Sequence, residues 1–283
     1  MQHVRTQSLK QDQDLLPSIM RAWEELQPRV QDLMQREGGL ADTSSVAPVS
    51  EAHHSRLEAF AADPLFQKTF HALPASFAIV DVDKLVAPQR TVNLDYVRRL
   101  AASFPKSPTL EQLIDICVSP TRAMDPIQHL ELSPNAHVFS SPNADIRILG
   151  SFVKDLKAED LQYAVMGGLP TAAVITFVGY GGSPINALRA GNRIILNNGF
   201  HRVYALRALG VREIPVVLQE VRNIHLEFPP AVVGLPREYL LGAPRPVMIK
   251  DFFEADFAIT LRVQNRIRQV TIGINCSQHD VPV

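Results

Sequence analysis

The stretch from Arg193 to Val217, RIILNNGFHRVYALRALGVREIPVV, constrains the fold more than any other part of the chain. Its first residues, Arg193 to Leu196, predict a buried strand, and Asn197 to Gly199 predict a tight turn. A helix is predicted from His201 to Leu209, and Ile214 to Leu218 predicts a second strand. The order strand, turn, helix, strand indicates one compact unit that combines helix and sheet.

The predicted turn carries residues that suit an anion. Asn198, Gly199, His201 and Arg202 lie at the start of the predicted helix, where free backbone N–H groups and the positive end of the helix dipole converge. Gly199 permits close backbone approach, and Arg202 can bind a phosphate through its guanidinium fork. The alternative is that His201 caps the turn, Arg202 is a solvated helix residue and Asn198 only tolerates a left-handed turn.

The run NNGFHRVYALRALGVREIPVVL resembles the nucleotide-binding turn and helix of the ParB/sulfiredoxin-like superfamily, where a (D/G)G-x-(H/R)-R segment leads into an Ala/Leu-rich helix and a short strand. The stretch from Phe77 to Phe104 resembles that family's first strand, its loop ending in an arginine, and the next helix. The resemblance implies a mixed-sheet α+β core that binds a nucleotide, ATP or CTP, with or without Mg²⁺. It also implies that Arg90 is a further phosphate ligand, although Arg90 could equally be a surface loop arginine.

Single residues argue against two branches of the superfamily. Sulfiredoxins carry a catalytic cysteine where this chain has Phe200, so sulfinic-acid reductase chemistry does not carry over. Free-serine kinases use a DGHHR-like turn, and NGFHR lacks the aspartate and the first histidine of that turn. The weak catalytic candidates that remain are His201, Asp81 and Asp83. Either aspartate could act as a base or a metal ligand, or could cap the end of the first strand.

Three functions stay open at this stage. The first is binding of a nucleotide or another phosphorylated small molecule, with phosphate hydrolysis or phosphoryl transfer if the protein is an enzyme. The second is a non-catalytic interaction protein that forms a homodimer through its N-terminal helix or its C-terminal hairpin. The third is DNA binding or nuclease action. A net charge of −1, from 28 basic and 29 acidic residues, argues against a nucleic-acid partner.

The chain divides into three predicted segments. Residues 1–73 form a helical appendage, and residues 74–221 form the ParB/sulfiredoxin-like core with an insertion near 119–145. Residues 222–283 form a proline-rich extension that ends in a β-hairpin. We therefore expect an α+β fold whose mixed-sheet core carries a helical segment before it and a hairpin after it.

Proline shapes the predicted appendage. Apolar residues at helical spacing predict a helix from Leu15 to Met34, which Pro28 is expected to kink or split. A second helical region from Glu51 to Leu73 is expected to break at Asp63-Pro64.

Alternation and periodicity predict the remaining elements. The runs Phe257–Val263 and Val270–Cys276 alternate apolar and polar residues, which predicts the C-terminal hairpin. The other predicted elements are strands at Phe77–Val82, Ala136–Ser140, Ile146–Phe152, Ala172–Tyr180 (of the fully buried type) and Ala187–Ala190, and helices at Asn93–Ser103, Thr109–Val118 and Ala158–Met166.

Composition favours a cytoplasmic protein. Cys117 and Cys276 lie far apart in a chain without other cysteines, which predicts two buried thiols in a reducing compartment. The chain begins without the apolar segment of a signal peptide and has no apolar run of membrane-spanning length, so no membrane partner is expected. Its 9 histidines show no metal-ligand spacing with cysteines or carboxylates, and no structural metal is expected.

Overall fold

The computed structural model describes residues 4–7, 15–120, 124–143, 145–157, 159–160, 168, 170–182, 184–255, 257–262 and 267–281. Its α-helices are α1 (Leu15–Arg36), α2 (His54–Ala62), α3 (Pro64–Thr69), α4 (Leu94–Ser103), α5 (Leu110–Cys117), α6 (Phe200–Ala208) and α7 (Arg237–Leu240). Its strands are β1 (Val4–Gln7), β2 (Val46–Pro48), β3 (Ala75–Asp81), β4 (Thr91–Asn93), β5 (Gln128–Ser133), β6 (Ala136–Ser141), β7 (Ile146–Asp155), β8 (Ala172–Tyr180), β9 (Asn186–Ala190), β10 (Arg193–Asn198), β11 (Glu213–Val221), β12 (Ala231–Val232), β13 (Leu235–Pro236), β14 (Ile259–Arg262) and β15 (Arg268–Gly273).

The chain forms two compact units. The larger comprises residues 1–122 and 182–265, and the smaller comprises residues 123–181 and 266–283. The larger unit is built on a five-stranded mixed sheet in the order β10-β9-β11-β3-β2. Strand β11 pairs parallel with β9 and antiparallel with β3, and most of its residues are buried. Helices and a mixed sheet in one unit establish the α+β class.

The predicted strand, turn, helix and strand are confirmed at β10, α6 and β11. Strand β10 pairs antiparallel with β9 through a turn that contains Gly191. Helix α6 follows Gly199 directly and packs against α4. Helix α5 is confirmed as well, and its Thr109 cap completes a reciprocal capping box with Gln112.

The N-terminal helices are part of the main core. Pro28 was expected to kink or split the first helix, and the split is wrong, because α1 continues through that proline. The predicted break at Asp63-Pro64 is confirmed, since Asp63 caps α3 and Pro64 occupies its first turn. Leu57 and Phe66 are buried in the same apolar cluster as the strands of the sheet. The predicted appendage therefore supplies side chains to the core.

The smaller unit is built mainly from strands in its described parts. Strands β5, β6 and β15 form an antiparallel sheet in the order β15-β6-β5, and β7 pairs antiparallel with β8. Strands β6, β7 and β8 confirm the three strands predicted there. The prediction that β8 is fully buried is wrong, because Val174 is 76% exposed and Phe177 is 52% exposed. Most of the helix predicted at Ala158–Met166 lies outside the described residues.

The predicted C-terminal hairpin is wrong. Both alternating runs contain a strand, but β14 pairs parallel with β1 and β15 pairs antiparallel with β6. Alternation specifies a strand with one apolar face and carries no information about its partner. The linking residues also lack the Asn-Gly or Asp-Gly turn that favours a tight hairpin.

The two cysteines differ in burial. Cys117 is buried as predicted, whereas Cys276 is exposed, so that half of the prediction is wrong. None of the described helices has both the length and the apolar composition that a bilayer span requires.

Candidate functional site

The turn between β10 and α6 is held tightly from inside the protein. Gly199 has φ 93° and ψ 16°, a left-handed conformation that favours glycine. A Cβ atom at this position would lie only 2.7 Å from Cγ1 of Ile185. Glycine is therefore required by the close approach of Ile185 as well as by the backbone angles.

The two asparagines of the turn bind neighbouring parts of the same unit. Nδ2 of Asn198 donates to the carbonyl oxygen of Gly182 at 2.8 Å and to that of Pro184 at 3.0 Å. Nδ2 of Asn197 donates to Oδ1 of Asn186 at 2.8 Å. The side-chain amide hydrogens of Asn198 thus stabilise the loop before β9, which is a structural role for a predicted ligand residue.

His201 lies where the N-termini of α4 and α6 meet. The backbone N–H of Asn93 donates to Nε2 of His201 at 3.3 Å, and the Tyr96 ring lies edge-on to the imidazole with centroids 5.3 Å apart. Asn93 is also the N-cap of α4, because its Oδ1 accepts from the backbone N–H of Tyr96 at 3.0 Å. Two helix dipoles therefore direct their positive ends toward one half-buried histidine.

Arg90 lies immediately before β4, the strand that ends at Asn93. Three residues of extended chain, about 10 Å, separate it from the contact with His201. Arg90 is half-buried, and its Nε is a buried donor with no hydrogen-bond partner in the structure. Burial raises the pKa of the Tyr239 hydroxyl, and the positive charge of Arg90 acts in the opposite direction. An arginine with an unsatisfied donor, three residues before the N-cap of α4, suits an anionic ligand.

Arg202 points into the protein. It is 5% exposed, and its Nη1 donates to the backbone carbonyl of Ile116 at 2.9 Å, near the C-terminus of α5. A cation is favoured at that end of a helix. Burial raises the pKa of the neighbouring Cys117 thiol to about 12, and the positive charge of Arg202 partly opposes this effect. The alternative of a solvated Arg202 is therefore wrong, and part of its guanidinium fork is used inside the protein.

The two aspartates lie away from the turn. Oδ1 of Asp81 accepts from the backbone N–H of Asp83 at 2.9 Å and so caps the short 3₁₀ turn after β3. The Asp83 carboxylate accepts from Nε of Arg207 at 2.5 Å and also pairs with Arg212. Arg207 lies in the last turn of α6, about 10 Å along the helix from its first residue. The structure thus brings Asp83 to the end of α6 opposite His201.

Sequence reasoning missed Asn93 and Tyr96. The sequence did carry a signal for Asn93, because an asparagine directly before an amphipathic run is an N-cap pattern.

Phe200, which follows the turn, is 4% exposed and packs edge-on against Phe252 with ring centroids 5.3 Å apart. Within the described parts of the chain, no group of three or more His, Cys, Asp or Glu side chains is arranged to hold a metal ion.

Comparison with known proteins gives no relative for this chain. No family model matches it, and no curated protein or solved structure matches it either. The fold and the contacts above therefore define an α+β protein with a mixed five-stranded sheet, and its function must be argued from the residues themselves.

Proposed function

We propose that the protein binds a phosphorylated ligand, a nucleotide such as ATP or CTP, at the surface formed by Arg90, Asn93 and His201. The observation that carries the proposal is the contact between Asn93 N–H and His201 Nε2, which joins the N-termini of α4 and α6. Arg90, three residues before Asn93 in the chain, adds an arginine whose Nε has no hydrogen-bond partner. Helix N-termini and an arginine are the groups that proteins use most often for phosphate.

Each predicted ligand residue has a defined part in this proposal. Arg90 donates to the phosphate and His201 lies beside it, while Mg²⁺, if present, is brought by the nucleotide. Asn198, Gly199 and Arg202 do not bind the ligand directly. Asn198 contacts the loop before β9, Gly199 lies against Ile185, and Arg202 contacts the end of α5. They fix the position of the α6 N-terminus.

The proposal is limited to binding. Phosphate hydrolysis or phosphoryl transfer requires a group that orients the attacking nucleophile. Asp83 pairs with Arg207 and Arg212, and Asp81 caps a turn, so neither candidate carboxylate supports this role.

Calorimetry with ATP and with CTP, each with and without Mg²⁺, tests the proposal. A hydrogen bond to a charged group is worth about 1.5–3 kcal/mol, so Arg90→Gln should weaken binding by about tenfold or more. Arg222→Gln is the matched control, because Arg222 is an exposed arginine of the same unit and should bind as the wild type does. Absence of binding by the wild type, or equal binding by Arg90→Gln and the wild type, contradicts the proposal.

A non-catalytic interaction protein is the second candidate. It is favoured by the internal contacts of Asn198 and Arg202, which leave the turn stable without a ligand. On this hypothesis the chain binds neither nucleotide and sediments as a dimer, whereas the first candidate requires nucleotide binding whatever the oligomeric state. A gel-shift titration at low and moderate salt tests the nucleic-acid alternative, because phosphate contacts give a steep salt dependence.

A further inference from the structure

Two histidines of the smaller unit face each other across a β-hairpin. His129 lies on β5 and His137 on β6, and Nε2 of His129 is 3.2 Å from Nδ1 of His137. The hairpin register pairs His129 with Phe139 and Glu131 with His137, so the two imidazoles are diagonal neighbours on one face of the sheet. Their separation in the sequence gave no metal-ligand pattern. The register of the hairpin is what brings them together.

The distance between these nitrogens matches that between two ligands of one metal ion. Imidazole nitrogens bind Zn²⁺ at about 2.0–2.1 Å, and at a tetrahedral angle two such nitrogens lie about 3.3 Å apart. The observed 3.2 Å is close to this value. In the metal-free pair the nitrogens point at each other, because the ring centroids lie 5.4 Å apart, so the rings must turn for both nitrogens to bind one ion. A hydrogen bond between two neutral imidazoles uses the N–H of one ring and the lone pair of the other. The donor ring offers a lone pair at that nitrogen in its other tautomer, which carries the proton on the second nitrogen.

The surroundings hold the pair in place and leave it accessible. The His129 ring stacks on Phe139, with centroids 4.8 Å apart and an interplanar angle of 22°. A β-bulge between Glu131 and Ser133 disturbs the ladder next to His137, and bulges of this kind redirect side chains. His129 is exposed and His137 is half-buried, so an ion from solvent can reach the nitrogens. The Glu131 carboxylate, directly opposite His137, adds negative charge beside them.

We propose that His129 and His137 chelate one divalent transition-metal ion, with water in its remaining coordination positions. Imidazole nitrogens suit Zn²⁺, Ni²⁺ and Cu²⁺, whereas Mg²⁺ and Ca²⁺ prefer oxygen ligands. No third protein ligand completes the site among the described residues. The ion is therefore bound reversibly at an open site, and it joins β5 to β6 without being needed for folding.

Titration of the full-length, metal-free protein with Ni²⁺ in a calorimeter tests the proposal. Two linked ligands act at a high effective concentration, so His129→Gln and His137→Gln should each weaken Ni²⁺ binding by about 100-fold or more. The loss in the double variant should be smaller than the sum of the two single losses, because the first substitution already removes chelation. His225→Gln is the control, since this exposed histidine lies in the larger unit and should not affect the titration.

A second measurement locates the ion. Titration with Zn²⁺, followed by NMR of the histidine rings, should shift the resonances of His129 and His137 together and reach an end point at one equivalent. Mg²⁺ should leave both rings unchanged. Equal Ni²⁺ affinity in the wild type and the double variant, or a shift of only one of the two rings, overturns the proposal. Cooperative thermal unfolding of each variant in EDTA should show that it is folded at the temperature of the titrations.

Discussion

Arg245 and Asp251 bind each other through two hydrogen bonds in the interior of the larger unit. Nη1 of Arg245 lies 2.8 Å from Oδ2 of Asp251 and Nη2 lies 3.1 Å from Oδ1, while the two side chains are 0% and 4% exposed. Glu37, which directly follows α1, accepts from Nη2 of Arg245 at 2.6 Å and also pairs with Lys250. The network therefore joins the end of the N-terminal helix to a segment more than 200 residues later in the chain.

Removal of the Asp251 charge should strongly destabilise the protein. Asp251→Asn leaves the buried Arg245 without its main counter-charge, and breaking a buried pair from one side costs about 3–5 kcal/mol. Urea unfolding followed by circular dichroism measures this change. Glu254→Gln, an exposed acidic residue three positions later, should change the free energy of unfolding by less than about 0.5 kcal/mol. A similar loss in both variants contradicts the assigned role of the pair.

The parts of the fold that were predictable from the sequence are those set by near neighbours in the chain. The turn before α6 was predictable because Asn197 to Gly199 are turn residues between an apolar run and a helical run. The break before α3 was predictable for the same kind of reason, since Asp63 and Pro64 form an N-cap and a first helical residue. In each case the local backbone preference and the tertiary structure agree.

The parts that were not predictable depend on contacts between distant residues. Strand β14 pairs with β1 and β15 pairs with β6, and the alternation of apolar and polar residues in these strands does not specify their partners. Arg202 was expected to reach a ligand, but its direction depends on the position of α5, which the sequence does not specify. Asn93 and His201 meet for a similar reason, because their contact spans 108 residues.

Substitution of Gly199 by alanine should separate a steric effect from a backbone effect. Gly199 and Gly210 both have positive φ, 93° and 89°, but only at Gly199 would a Cβ meet another atom, Cγ1 of Ile185 at 2.7 Å. Gly210→Ala should therefore cost about 1–2 kcal/mol, the ordinary penalty of a left-handed residue. Gly199→Ala adds overpacking of about 1–3 kcal/mol.

Denaturant unfolding of both glycine variants measures the two penalties. Adding Ile185→Ala should recover part of the loss in the Gly199→Ala background, because it removes Cγ1, the nearest of the Ile185 atoms that the new Cβ would contact. The explanation fails if both glycine variants lose the same stability, or if Ile185→Ala gives no recovery beyond its own effect.

The buried Cys117 thiol should make stability fall at alkaline pH. Burial raises the pKa of this thiol from its ordinary value of 9.0 to about 12. The unfolded chain therefore loses the proton first as pH rises above about 9, and the contribution of the neutral thiol is lost between pH 9 and 12. The slope is at most about 1.4 kcal/mol per pH unit.

Urea unfolding at about pH 8 and about pH 10.5 isolates this effect when the wild type is compared with Cys117→Ala. The variant should lose less stability between the two pH values than the wild type does. Cys276→Ala is the control, because that thiol is exposed and should leave the wild-type pH dependence in place. An unchanged slope in Cys117→Ala contradicts the prediction.

Substitution of Arg90 should lower nucleotide affinity, whereas substitution of Arg202 should lower the stability of the protein. Arg202 is 5% exposed and donates to the carbonyl of Ile116, so Arg202→Gln should lower the free energy of unfolding by about 2 kcal/mol. Arg90 has a buried Nε without a hydrogen-bond partner, so Arg90→Gln should leave stability within about 0.5 kcal/mol of the wild type, or raise it, while nucleotide affinity falls.

Urea unfolding and nucleotide calorimetry on both variants separate the two roles. Calorimetry at a temperature where Arg202→Gln is fully folded should show an affinity for ATP or CTP closer to the wild type than that of Arg90→Gln. If Arg202→Gln loses binding and keeps its stability, Arg202 is a phosphate ligand after all, and the inward direction of its guanidinium does not describe the ligand-bound protein. If Arg90→Gln loses stability instead of affinity, Arg90 has a structural role in the interior near Tyr239. That result contradicts the nucleotide hypothesis and favours the interaction-protein hypothesis.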